Sequence, residues 1–295
     1  MIIVFGSINL DLVTRVDALP RAGETVLGGS YAAHPGGKGA NQALAARRAG
    51  AEVALVGAVG RDDFAVQALA LLRRDGVGLS GVAEVGAPTG AAFIAVDAAG
   101  ENQIVVASGA NALVKAAQLE ALAFSSADTL LLQREVPEAE CLAAALLAKA
   151  KGARVILNLA PAGVPDPKLL AAIDMLIVNE HEARTLGVAF GLGDNIHRAA
   201  PQIARDEKLI VIVTAGANGA VAYNEGISFS APAPRIRALD TTGAGDTFVG
   251  ALAAALDAGR PLISALAFAV RAGALACLKH GAQPAIPTKA EIDAV

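Results

Sequence analysis

The apolar positions of this chain fall in short, nearly unbroken runs. Residues 2–5, 53–56, 129–132, 155–157, 175–178 and 209–213 are almost wholly Ile, Leu, Val, Met, Phe or Ala. Runs of that length without polar alternation predict strands of a parallel sheet buried on both faces. Helical stretches such as 43–49 and 244–258 stand between them, so right-handed crossovers stack the strands into a three-layer α/β/α core with a mostly parallel sheet. Polar residues follow the runs at 7–11, 133–135, 158–161, 179–182 and 214–219, which places them at one sheet edge, where such folds bind ligands. Two stretches break the alternation, 12–33 and 81–107. The second holds two β runs around Ala98-Ala99-Gly100-Glu101, a hairpin. The pattern therefore predicts a single domain over 1–295, with a core at 1–11, 34–80 and 108–295 and a small β-sheet lid that excludes water from the site.

Composition narrows the class. The chain has 295 residues, is 54% apolar and carries a formal net charge of −4, so it can bury a large core and offers no basic surface for nucleic acid or anionic membrane. No run of 18 apolar residues occurs, and the N-terminal residues lack a basic leader, so neither a membrane span nor a signal peptide is expected. The two cysteines, Cys141 and Cys277, lie in apolar helical contexts and form no disulfide framework, which predicts a cytoplasmic protein.

Two glycine clusters carry the chemistry. Asp240-Thr-Thr-Gly243-Ala244-Gly245-Asp246 opens the helix at 244–258, so the amides of Gly243, Ala244 and Gly245 converge at a helix N-terminus and form an anion site with a carboxylate beside it. Phosphoryl transfer needs little more from a protein than this: positioning, charge stabilisation and a base for the hydroxyl proton. The other cluster, Gly36-Gly37-Lys38-Gly39-Ala40-Asn41-Gln42-Ala43, lacks the glycine five residues before Gly37 and the Ser or Thr after Lys38 that a P-loop requires. Lys38 and Asn41, three apart, present a cation and an amide to one side.

These two motifs, about 200 residues apart, are similar to the N- and C-terminal signatures of the ribokinase-like (pfkB) family of carbohydrate kinases. Gly6-Ser-Ile-Asn9-Leu-Asp11, Gly23-Glu-Thr-Val26, Asn158-Leu-Ala-Pro-Ala162, Asn179-Glu-His-Glu182 and Gly281-Ala-Gln-Pro284 resemble further segments of the family in the same order. The resemblance spans the whole chain and implies a kinase that phosphorylates a sugar from MgATP, with Asp246 as general base and Gly243–Gly245 stabilising the moving phosphoryl group. It implies that Asn9, Asp11, Gly37, Lys38, Gly39, Asn41 and Glu135 bind the sugar, Asp11 through two vicinal hydroxyls. Asn179 and Glu182 would organise Mg²⁺ and the nucleotide phosphates. The loop of Thr214, Ala215, Gly216, Ala217, Asn218 and Gly219 would carry the nucleotide, with Gly245 close by. A monovalent cation, potassium, is implied at Asp240, Thr242 and the carbonyls of Ala276, Lys279, Gly281 and Ala285. A homodimer joined through the lid is implied as well.

The chain departs from close relatives at Val249 and Val270, expected on the adenine side, and at Arg134, expected either to alter sugar preference or to turn away from the site. Ribose is the expected substrate; another sugar or a nucleoside, or a non-catalytic sugar-binding regulator, are the alternatives.

Overall fold

The computed structural model describes residues 1–295. Thirteen strands occur in chain order: β1 Ile2–Phe5, β2 Asn9–Arg15, β3 Tyr31–Gly36, β4 Val53–Val59, β5 Gly78–Glu84, β6 Gly90–Val96, β7 Asn102–Ala107, β8 Thr129–Leu132, β9 Arg154–Asn158, β10 Met175–Asn179, β11 Ile210–Thr214, β12 Ala220–Asn224 and β13 Ile227–Ala231. The helices are α1 Lys38–Arg48, α2 Asp63–Ala68, α3 Ala70–Arg74, α4 Glu138–Ala150, α5 Pro167–Ala171, α6 Glu180–Ala189, α7 Ile196–Asp206, α8 Ala244–Asp257, α9 Leu262–Ala276 and α10 Lys289–Asp293. Every apolar run expected to be a strand is one, within one residue except where β4 runs on to Val59.

Nine strands form the main sheet in the order β13-β12-β11-β10-β9-β8-β1-β4-β5. It is parallel from β11 to β5, and β12 and β13 close one edge as an antiparallel hairpin. Two apolar clusters lie on its two faces. One packs α1, α8 and α9 against Ile2, Val4, Leu55 and Ile177, and the other packs α4 and α7 against Ile3, Phe5, Leu132 and Val155. Alternate residues of β1 thus feed opposite layers, as the pleat requires. α1, α8 and α9 are rich in Ala and Gly, which lets them approach closely: a side chain at Gly250 of α8 would come within 2.5 Å of the Gln42 carbonyl of α1. That approach sets Asp246 beside Asn41 and Gln42.

The small sheet has the order β3-β2-β6-β7. It corrects two expected boundaries. Residues 78–84 form β5 and pair in parallel with β4 at the edge of the main sheet, so 81–84 are not part of the lid. Residues 9–11 and 34–36, expected in the core, are the inner ends of β2 and β3 and pair within the small sheet, Asn9 with Gly36 and Asp11 with His34. Hydrophobic pattern identifies a strand but not the sheet it joins, because pairing partners lie far away in sequence.

One face of the small sheet looks onto the core across a cavity of ≈ 740 Å³ lined by Asp11, Val13, His34, Ile94 and Ile104 on one side and by 238–242 and 280–282 on the other. The opposite face carries Leu12, Ala33, Phe93 and Val105 in one cross-strand register, with Phe93 and Val105 exposed.

Candidate active site

α1 starts at Gly37, whose φ of 88° lies in the left-handed region, and any side chain there would come within 2.7 Å of the Asn9 amide nitrogen. No side chain of its own caps the helix. Its first amides find acceptors from other elements instead: Lys38 N–H donates to Glu135 Oε2 at 3.1 Å and Ala40 N–H to the Ser7 carbonyl at 2.9 Å. Ser7 Oγ donates to the same Glu135 oxygen at 2.6 Å. Glu135 is therefore clamped by one oxygen at a helix N-terminus, a favourable place for an anion, and keeps Oε1 for a ligand. Gly39 packs behind this point against Gly6 and Ser7 and gives its N–H to Ser7 Oγ, so it seats the helix rather than lining the cavity.

Asn9 is oriented by a residue that sequence reasoning missed. Asn111, in the turn after the small sheet, donates from Nδ2 to Asn9 Oδ1 at 2.7 Å and accepts from the Ile8 N–H at 2.9 Å. The Asn9 amide nitrogen is thereby left to face a ligand. No motif marks Asn111; only its burial and its partners across a separation of about 100 residues do.

Asp246 stands in the first turn of α8, buried, with both oxygens engaged: Oδ2 accepts from Asn41 Nδ2 at 3.0 Å and Oδ1 from Gln42 Nε2 at 2.9 Å. Asn41 Oδ1 is buried without any donor, so the acceptor beside Asp246 awaits a ligand O–H. Asp11 also accepts no hydrogen bond from the chain. Burial pushes its carboxyl up to about 7, repulsion from Glu135 and Asp246 adds to the rise, and Lys38 opposes it. Lys38 in turn is held above the usual lysine range, first by Asp246, against burial, and then by Glu135, Glu182 and Asp11. Four carboxylates around one ammonium, with acceptors left unfilled, suit a neutral ligand rich in hydroxyl donors.

α8 is preceded by Gly243 at φ 73°, where a side chain would meet Ala282 at 2.9 Å. The amides of Gly243, Gly245 and Asp246 find no acceptor in the chain, while Ala244 N–H reaches the Thr241 carbonyl at 3.2 Å. Three free amides at a helix N-terminus can hold an anion, but the Asp246 N–H stands where that of Ala244 was expected, because Ala244 closes a turn onto Thr241. They border a cavity of ≈ 160 Å³ with Lys38, Asn158, Asn179, Glu182, Thr214 and Val249.

Asn179 and Glu182 form a reciprocal capping box: Asn179 Oδ1 accepts from Glu182 N–H at 2.8 Å and Glu182 Oε2 from Asn179 N–H at 2.7 Å. Burial pushes the Glu182 carboxyl up, opposed by that bond from Asn179 and by Lys38. The box leaves Glu182 Oε1 and a second lone pair on Asn179 Oδ1 uncommitted beside the cavity, oxygen acceptors that fit a hydrated ion held partly through water. No three His, Cys, Asp or Glu side chains converge anywhere to cage a metal.

Beyond Thr214 the wall becomes apolar. A cavity of ≈ 450 Å³ is lined by Gly216, Ala217, Gly219, Ile236, Phe248, Val270 and Ala274 among others, and it meets the anion site at Gly245. Val270 belongs here, on the expected adenine side. Val249 does not: it borders the anion cavity, because α8 turns that position toward Asp246. Ala215 and Asn218 are not on the wall either; the Ala215 N–H to Gly219 carbonyl bond and the Asn218 N–H to Ala215 carbonyl bond close the loop that carries Gly216 and Ala217.

Asp240 accepts from Thr242 N–H at 2.9 Å and Gly281 N–H at 2.8 Å. Burial alone would push its carboxyl up, but the hydrogen bonds from Gly281 and Thr242, with His280 nearby, outweigh it and hold Asp240 below the usual carboxylate range. The carbonyls of Thr242, Lys279, Gly281 and Ala285 accept no backbone hydrogen bond, whereas that of Ala276 accepts from Lys279 N–H at 3.4 Å. An ionised carboxylate among free carbonyl oxygens is a donor set that fits a monovalent cation.

Arg134 donates from Nη1 to the Pro161 carbonyl at 3.0 Å and lies 3.9 Å from Glu138. It shares a cavity of ≈ 460 Å³ with Asn9, Asn111 and Glu135, on the flank of the site rather than at its centre.

The profile of the pfkB family carbohydrate kinases matches residues 1–289. The chain belongs to that family. It is 38% identical to a ribokinase from Haemophilus influenzae over 294 residues, covering 98% of this chain and 95% of the relative. It is also 38% identical to a ribokinase from Bacillus subtilis, covering 99% and 98%. The fold matches that of Arabidopsis thaliana ribokinase complexed with ribose and ATP, with a TM-score of 0.89, 31% identity and coverage of 99% and 97% of the two chains. The three-layer core with its small second sheet is thus the ribokinase-like fold, and this pfkB kinase is a phosphotransferase acting on an alcohol group.

Proposed function

We propose that this pfkB kinase is an ATP-dependent ribokinase that transfers a phosphoryl group to O5 of D-ribose, with Asp246 as general base. The observation that carries the reading is the row from Asp11 and Glu135, grouped with Asp246 around Lys38, through the free amides of Gly243 and Gly245 to the adjoining apolar cavity at Phe248 and Val270. Hydroxyl acceptors, base, anion site and base-sized cavity stand in the order that a sugar, a phosphate chain and an adenine require. Relatives named ribokinase at 38% identity, and a similar fold solved with ribose and ATP, support it.

In this reading Asp11 accepts two vicinal hydroxyls and Glu135 Oε1 a third, while the Asn9 amide and Lys38 donate to the sugar. These contacts present O5 to Asp246, which takes its proton as the bond to phosphorus forms. The amides of Gly243, Gly245 and Asp246 meet the charge on the phosphoryl oxygens. Glu182 and Asn179 would hold Mg²⁺ through water, and the ion would supply charge neutralisation at the phosphates. The lid face with Val13, Ile94 and Ile104 would exclude water on closing over the sugar. An ADP-release assay over pentoses, hexoses and nucleosides tests the assignment. D-ribose is expected to exceed 2-deoxyribose in kcat/KM by about 10- to 100-fold, because Asp11 loses one donor when O2 is missing. Equal use of the two sugars, or a preference for fructose or adenosine, would move the assignment to another substrate of the family.

Potassium is proposed beside Asp240, where it would order the turn that carries Gly243 and Gly245. Exchange of potassium for sodium at constant ionic strength and saturating Mg²⁺ is expected to lower activity several-fold in the wild type and much less in Asp240→Ala. An activity indifferent to the ion would remove it from the scheme.

A second copy of the chain is proposed to cover the outer face of the lid, where Phe93 and Val105 stand in register with Leu12 and Ala33. Exposed apolar rows on a four-stranded sheet favour such cover, and sedimentation velocity reads the homodimer directly. The free buried thiols of Cys141 and Cys277 suit a reducing compartment, and we place the reaction in the cytoplasm.

A further inference from the structure

Behind Asp246 lies a chain of buried amides that no sugar or nucleotide contact explains. Gln42 and Gln133 are both wholly buried. Gln42 Nε2 donates to Asp246 Oδ1 at 2.9 Å and to Asn158 Oδ1 at 2.9 Å, and Gln42 Oε1 accepts from Gln133 Nε2 at 2.7 Å. Gln133 Oε1 has no donor, and Gly6 passes close against it, so that any side chain at Gly6 would collide with it. The polarity of this chain is fixed. Two acceptors face Gln42 on one side, so its NH2 must point there and its carbonyl must point at Gln133, which has to answer with a donor. An acceptor of Gln133 is left unpaired as a result, a cost that a purely structural core would not carry.

We propose that Gln42, oriented by Gln133, is a positioning residue for phosphoryl transfer: it holds Oδ1 of Asp246 on the buried side and so presents Oδ2, beside Asn41, to the sugar hydroxyl. The inference rests on Asp246 being the base. It makes the neighbouring pair unequal in role. Asn41 faces the ligand, with Oδ1 buried and still without a donor, whereas Gln42 touches only protein. Fixing the carboxylate rotation matters because a base must meet its proton within about 0.5 Å of the productive geometry. Lys38 from α1 and Asp11 from β2 act on Asp246 through charge alone and make no hydrogen bond that would fix the rotation of its carboxylate.

The test uses Gln42→Met, which keeps length and removes the amide, and Gln133→Met, which never touches Asp246. Gln42→Met is expected to lower kcat about 10- to 100-fold with KM for ribose and ATP within about threefold. Gln133→Met should show the same kcat-only loss, smaller, and the double variant should be no slower than Gln42→Met alone. In an Asp246→Asn background Gln42→Met should add nothing. Unchanged kcat in both single variants, a loss carried by KM, or losses that multiply in the double variant would overturn the proposal. A fully active Asp246→Asn would defeat the base assignment itself, whereas an inactive Asp246→Asn beside an unimpaired Gln42→Met would defeat only this inference. Thermal melting of each variant separates misfolding from misplacement, and Gln133→Met keeps the test decisive if Gln42→Met does not fold.

Discussion

Asp246→Asn is expected to lower turnover by about two orders of magnitude or more while ribose and ATP bind within a few-fold of wild type, the scale of losing a positioned base. The amide keeps the shape of the side chain and can still accept from Asn41 or Gln42 through its oxygen, but it cannot take the hydroxyl proton. Its NH2 must also oppose one of two donors, Asn41 Nδ2 at 3.0 Å or Gln42 Nε2 at 2.9 Å, which adds a local cost without emptying the sugar subsite. Steady-state kinetics with direct binding measurements separate these effects. A variant with more than about a tenth of wild-type turnover would mean that the proton leaves by another route.

Much of this site is legible in the amino-acid sequence, because phosphate and base chemistry are written in contiguous residues. Gly243-Ala-Gly245-Asp246 and Gly36-Gly37-Lys38 each announce a helix N-terminus, and the structure has α8 and α1 starting there. The parallel core is equally plain, since a strand buried on both faces must be apolar throughout. What cannot be read is anything set by partners distant in sequence. Asn9 and Asp11 follow β1 closely enough to pass for its end loop, yet they pair with Gly36 and His34 in the other sheet. Gly81–Glu84 looks like lid and lies at the edge of the core. Asn111, Gln42 and Gln133 act through bonds spanning about 90 to 200 residues, and amides of that kind carry no spacing signal. Val249 shows the same limit on a helix: its place at the anion cavity rather than the adenine wall depends on the rotation of α8, which its packing on α1 and α9 decides.

The second large effect concerns Asp11, where function and stability should move in opposite directions. Asp11→Asn replaces an acceptor of two hydroxyls by a group that accepts one and donates one, and kcat/KM for ribose is expected to fall about a hundredfold or more. Yet the same variant should melt higher than wild type at pH 8. Burial, with Glu135 and Asp246 nearby, pushes the Asp11 carboxyl of the folded protein up to about 7, from 3.8 when unperturbed. A carboxyl raised by folding favours the folded state while it is protonated, fully so below its unfolded value, and that contribution is lost as pH rises through about 7. At pH 8 the wild type therefore carries a half-buried, unpartnered carboxylate that asparagine does not, a difference of a few kcal/mol at most, since a tenfold change in proton affinity corresponds to about 1.36 kcal/mol. At pH 5 the wild-type group is protonated in the folded protein and most of the difference should vanish. Ribose bound as proposed would supply the missing donors and favour the charged form: the wild-type KM for ribose should rise as pH falls below about 7, and binding near neutrality should release a proton that calorimetry in buffers of different ionisation enthalpy can count. An Asp11→Asn variant no more stable than wild type at pH 8, together with a ribose KM flat between pH 6 and 8, would show that Asp11 is already satisfied without its sugar and is not the residue that reads the vicinal hydroxyls.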